Sequence, residues 1–156
     1  MAVKEISNNL FFANVESIIN SGNSVELKVK GTSMYPALRN GKHKVVLVPY
    51  RKEFLRIGII ALFIHNQKHI LHRLVSIDNN ILTFQGDNLP YVKEYIEEKD
   101  IIAIVEFIIT PDGKVTDCKK QWFFIKNKLW RPIYKNHILF MRKIKSLFYK
   151  AFVISN

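Results

Sequence analysis

Val25-Glu26-Leu27-Lys28-Val29-Lys30-Gly31-Thr32-Ser33-Met34-Tyr35-Pro36-Ala37-Leu38 is the stretch on which the fold turns. Val25, Leu27 and Val29 alternate with Glu26, Lys28 and Lys30, the period of a strand with one buried face. Gly31 ends the alternation and delivers the chain to a turn in which Ser33 stands two residues after a glycine and three before Pro36. Such a context sharpens the chain direction and lifts a side chain out of the sheet. Gly31 leaves room for a second backbone to approach, and the N–H groups around Ser33 are candidates for an oxyanion hole.

Outward from this stretch, short apolar runs separated by turn signals predict further strands over 44–48, 58–64, 70–77, 81–85 and 101–110. Pro49 closes the first of these, and Asp78-Asn79-Asn80 joins two of them in a hairpin. Pro111-Asp112-Gly113 ends the last. Upstream, Leu10, Phe11, Val15, Ile18 and Ile19 recur at helical spacing over 9–20, behind Ser7 or Asn8 as a cap. The expected class is mainly β: coiled antiparallel sheets with a short N-terminal helix and a basic C-terminal helical tail.

The net charge of +11 over 156 residues is unevenly placed. Residues 1–117 carry 14 Lys or Arg against 13 Asp or Glu, whereas 118–156 carry ten bases and no acid. Two units follow: a compact domain over 1–117 and a basic, aromatic tail over 118–156. On a helical wheel of 138–152, Phe140, Met141, Ile144, Leu147, Phe148, Ala151 and Phe152 share one face, with Arg142, Lys143 and Lys150 opposite. That face either docks on the protein's own core or binds an anionic membrane surface. Nucleic acid is a less favoured partner, since no recognition motif accompanies the bases.

No apolar run reaches the roughly 18–20 residues that a membrane-spanning helix needs, and the first ten residues lack the apolar core of a secretory signal. The lone Cys118 forms no internal disulfide, which fits a reducing compartment. The expected location is cytoplasmic, with a peripheral position on the inner face of a membrane if the tail binds lipid. No metal cluster or phosphate-cradling loop is evident, so no cofactor is expected.

Two later segments give Ser33 its partners: Leu71-His72-Arg73-Leu74-Val75 and Gln85-Gly86-Asp87-Asn88. A serine hydroxyl is a weak nucleophile until a base takes its proton, and the base gains from a third group that orients it. Hydroxyl, imidazole and carboxylate in this order on strand ends point to a serine peptidase. The other histidines, His43, His65, His69 and His137, sit in charged or loop-like surroundings and read as surface residues. Lys68 is an alternative base, but it lies in a polar turn where desolvation is not expected.

The three segments resemble the boxes of the signal peptidase and LexA repressor superfamily of serine peptidases. Gly31 to Leu38 is similar to its Gly-x-Ser-Met-x-Pro-x-Leu box, and Leu71 to Val75 to its base-bearing box in the form where histidine replaces lysine. Gln85 to Asn88 is similar to its Gly-Asp-Asn box. The resemblance implies Ser33 as nucleophile, His72 as general base, Asp87 as the orienting carboxylate, and Gly31, Thr32 and Met34 around the oxyanion and substrate. It also implies an extended segment of a peptide or protein precursor, bound as an added strand.

The chain departs from the family pattern at Gly41-Lys42 and Gly58-Ile59, where an acid commonly follows the glycine, and at Ala103, where glycine is common. A membrane anchor and a helix-turn-helix domain are both missing from the N-terminal residues, so neither a housekeeping signal peptidase nor a self-cleaving repressor is expected. The altered turns motivate an alternative from another class, a catalytically inactive module whose groove holds an extended peptide.

Overall fold

The computed structural model describes residues 8–120 together with 136, 139–141 and 143. The expected amphipathic helix over 138–152 and His137 therefore fall largely or wholly outside the described residues. One helix, α1 (Asn8–Asn20), precedes eight strands: β1 (Val25–Lys28), β2 (Lys44–Pro49), β3 (Ile60–His65), β4 (Lys68–Asp78), β5 (Ile81–Gln85), β6 (Glu94–Ile96), β7 (Ile101–Ile109) and β8 (Val115–Asp117). All pairings are antiparallel, in the order β1-β2-β7-β3-β4-β5-β6, with β8 alongside the far end of β7. The protein is thus mainly β with a short N-terminal helix, as the alternation predicts. Strands β6 and β8, three residues each, are additions to the expected set.

The apolar run of β3 is explained by burial on both faces. Ile60 and Leu62 enter one core with Val15 and Ile19 of α1, Met34, Leu38, Val45, Leu47 and Val105. Ala61 and Phe63 enter the other with Leu74, Leu82, Phe84, Ile96 and Ile101, where the Phe63 and Phe84 rings lie 4.5 Å apart. A strand covered on both sides loses polar alternation, which is why 58–64 reads as continuous hydrophobicity. Cys118, assigned by charge to the tail, is buried in the first core.

Register shifts interrupt the ladders between Val46 and Leu47, between Leu62 and Phe63, and between Leu74 and Ser76. Irregularities of this kind bend strands and increase twist. The sheet curls until β1, at one end of the path, faces the part of β4 that β5 does not cover. Among the described residues no helix is long and apolar enough to cross a membrane.

Candidate functional site

The Ser33 loop is held from below and from the side. Gly31 takes a positive φ of 89°, which its missing side chain permits, and its N–H donates to Asn40 Oδ1 at 3.0 Å. Met34 and Leu38 are buried and anchor the turn to the first core. The Tyr35–Pro36 bond is cis. From the side, the Asn88 N–H donates to the Ser33 carbonyl at 2.7 Å and Asn88 Nδ2 donates to the Thr32 carbonyl at 3.2 Å. The Gly86-Asp87-Asn88 turn therefore clamps the serine loop, with Ser33 itself half-buried.

His72 lies on β4 opposite Ala61 of β3. Its Nδ1 stands 2.9 Å from Glu94 Oε2, and the two side chains are only 6% and 7% exposed. A carboxylate oxygen accepts, so Nδ1 donates in this contact and Nε2 is the ring nitrogen left for another partner. That Nε2 faces Gly86. A Cβ placed on Gly86 would lie 2.9 Å from His72 Nε2 and 2.8 Å from the Ser33 carbonyl oxygen. Both groups thus converge on the space that a glycine leaves open. Ser33 and His72 both line one groove, and among the described residues no hydrogen bond joins the Ser33 hydroxyl to the imidazole.

Asp87 does not take the place expected for the orienting carboxylate. Its Oδ1 accepts from Arg73 Nε at 2.9 Å and its Oδ2 from Arg73 Nη2 at 2.8 Å, and the pair is 1% and 0% exposed. The reason is strand parity. Neighbouring residues of a strand point to opposite faces, so Arg73 projects away from the His72 side. Pairing of Arg73 with Gln85 carries Asp87, two residues further on, to the Arg73 face. The same bookkeeping puts Glu94 with His72: Glu94 pairs with Phe84, Phe84 with Leu74, and Leu74 is two residues from His72. Arg73 Nη1 also donates to the Gly58 carbonyl at 2.8 Å, so the Arg73–Asp87 fork ties three chain segments together behind the site.

Glu94 was absent from the expected set because β6 is only three residues long. The signal that would have found it is Glu94-Tyr95-Ile96, in which an acid shares the inward parity of an isoleucine. An acid on the core face of a strand requires a buried partner.

A groove of about 810 Å³ opens beside Ser33 and His72. Glu26, Leu27, Lys28, Val29, Lys30 and Gly31 form one wall and His69, Ile70, Leu71 and His72 the other. Consecutive residues of both parities line it, which means that strand edges, not strand faces, border the gap. Among the described residues β1 pairs only with β2, and the 68–72 part of β4 pairs only with β3. Val45, Leu47, Leu62 and Met34 make an apolar floor, and Phe11 and Phe12 of α1 close one end. Of the expected oxyanion and substrate group, Gly31 and Met34 line the groove, while Thr32 turns its carbonyl to Asn88.

Two histidines expected at the surface are not there. His43 is buried, and its Nδ1 has no partner among the described residues. His69 stacks on Phe12 with ring centroids 4.2 Å apart and pairs with Glu16, fastening α1 to the groove wall. Lys68 is exposed at the start of β4. Among the described residues no three metal-ligating side chains converge. Compared with known proteins, the chain matches no family model, no curated protein and no solved structure.

Proposed function

We propose that this protein is a serine endopeptidase of the signal peptidase and LexA type, cutting an extended segment of a peptide or protein precursor. The observation that carries the reading is His72, held at Nδ1 by a buried carboxylate while Nε2 looks toward the Ser33 loop at the head of a groove bordered by two strand edges that no other described strand covers. An extended substrate fits as a strand between β1 and β4, where it would satisfy backbone donors and acceptors on both sides. Its scissile carbonyl then lies over Ser33.

In the first step His72 Nε2 accepts the proton of Ser33 Oγ as Oγ bonds to the carbonyl carbon. Glu94 faces the imidazolium so formed and stabilises its charge. Collapse of the tetrahedral intermediate breaks the C–N bond, and the imidazolium gives its proton to the leaving amine. A water, deprotonated by His72, hydrolyses the acyl-enzyme and returns the proton to Ser33. The roles are Ser33 nucleophile, His72 general base and acid, Glu94 orienting carboxylate, and Asp87 with Arg73 the brace of the loop.

The direct test is cleavage of extended peptides by the purified protein and by Ser33→Ala. Cleavage by wild type that the substitution abolishes, with folding unchanged, supports the reading, and equal cleavage by both refutes it. A Ser33 hydroxyl with no hydrogen bond to the imidazole among the described residues supports a second reading, a peptide-binding module that holds its ligand uncut. Saturable binding of a peptide that survives prolonged incubation intact distinguishes that case.

A further inference from the structure

Lys28, the last residue of β1, and Lys30, just beyond it, stand two residues apart on the wall of the groove, both exposed and opposite in parity to the partly buried Leu27 and the buried Val29. A segment that pairs with this edge is forced into register with it. Every second side chain falls beside Lys28 and Lys30, and the intervening ones fall over Leu27, Val29 and the apolar floor. The acids near the groove are already committed. Glu26 meets Lys44 Nζ at 2.8 Å and Glu16 meets His69. No Asp or Glu occurs between residues 27 and 52, nor anywhere in 118–156. The basic tail is therefore the wrong sign to occupy this edge.

Building on the reading of the groove as a strand-binding cleft, we infer that its occupant is an extended peptide segment of another chain in which acidic residues alternate with apolar ones. Two carboxylates spaced two residues apart lie against Lys28 and Lys30, while the apolar residues between them face the core. Directly opposed charges on neighbouring strands favour pairing, and like charges oppose it. The charges are exposed, so salt weakens the preference.

The test uses fluorescein-labelled decapeptides in which leucine or alanine alternates with Glu, Gln or Lys, titrated against full-length Ser33→Ala by fluorescence anisotropy. The Glu peptide is expected to bind about tenfold more tightly than the Gln peptide and more tightly still than the Lys peptide, from two favourable cross-strand pairs. The gap should narrow in 0.5 M salt, on the order of a threefold shorter screening length than at 0.05 M. Lys28→Gln with Lys30→Gln should erase the preference, and Lys28→Glu with Lys30→Glu should invert it. Equal affinity for the three peptides, a preference untouched by these substitutions, or no binding of any peptide overturns the inference. Whether wild type cuts the bound peptide is scored separately, so a failure of the peptidase reading is not confused with a failure of this one.

Discussion

His72 and Glu94 meet across a strand that carries neither of them: Nδ1 stands 2.9 Å from Oε2, with Phe84 of β5 between their two strands in the pairing register. The contact fixes both the ring's orientation and its tautomer. Glu94→Gln keeps the shape but offers an N–H that can reverse the tautomer, leaving Nε2 protonated and unable to accept from Ser33. The acylation rate by a serine-reactive probe should fall about 10²- to 10⁴-fold, with near-wild-type thermal unfolding. A merely structural role for Glu94 would instead lower the unfolding temperature and leave the rate per folded molecule unchanged.

Asp87→Asn acts differently, because its partner is Arg73 and not the imidazole. The substitution leaves a guanidinium buried at 1% exposure facing a neutral amide. Breaking such a pair costs about 3–5 kcal/mol. Urea unfolding should show that loss as a lower midpoint with an unchanged slope. A stable variant with lost activity would place Asp87 in the chemistry after all.

Gly86 has no tolerance for a side chain on its site-facing side. Gly86→Ala puts a methyl 2.8 Å from the Ser33 carbonyl oxygen and 2.9 Å from His72 Nε2, both closer than atoms of this kind approach. The serine loop or the imidazole must move, and a displacement near 1 Å costs about 10²-fold in rate. Acylation kinetics should register that loss, and an unimpaired rate would show that the two groups do not converge as described.

Much of this arrangement was legible in sequence, and the limits are physical. Alternation in 25–30 located β1, and turn residues bracketed β4 and β5, because half-buried antiparallel strands write their parity into the chain. Ser33 and His72 stand out in sequence through the segments around them, and the structure brings both to the lining of one groove. Glu94 was hidden because it sits on a three-residue strand, too short to show a period, and its partner is supplied by a strand two positions away in the sheet. That Asp87 pairs with Arg73 is hidden for a related reason: order along the chain does not report which face of a strand a residue occupies, and Arg73, beside His72 in sequence, points to the opposite side. His43 and His69 looked exposed because their neighbours in sequence are charged, whereas their neighbours in space are α1 and the core.

Cys118 should behave as an inert core thiol. Burial, with a smaller contribution from nearby Asp117 and against the opposing effect of Arg73, raises its pKa to about 12. At pH 8 the thiolate fraction is then on the order of 10⁻⁴. Ellman's reagent should react slowly with the folded protein at pH 8 and rapidly after addition of denaturant. Immediate reaction of the native protein would show that the segment following β8 does not pack as described.

Whether Ser33 is an activated nucleophile is read by intact-mass measurement after incubation with a fluorophosphonate probe. One adduct is expected on wild type, none on Ser33→Ala, and formation slowed at least about 10²-fold on His72→Ala and Glu94→Gln. An adduct that persists on Ser33→Ala, or a folded wild-type protein that forms none, would rule out an activated Ser33.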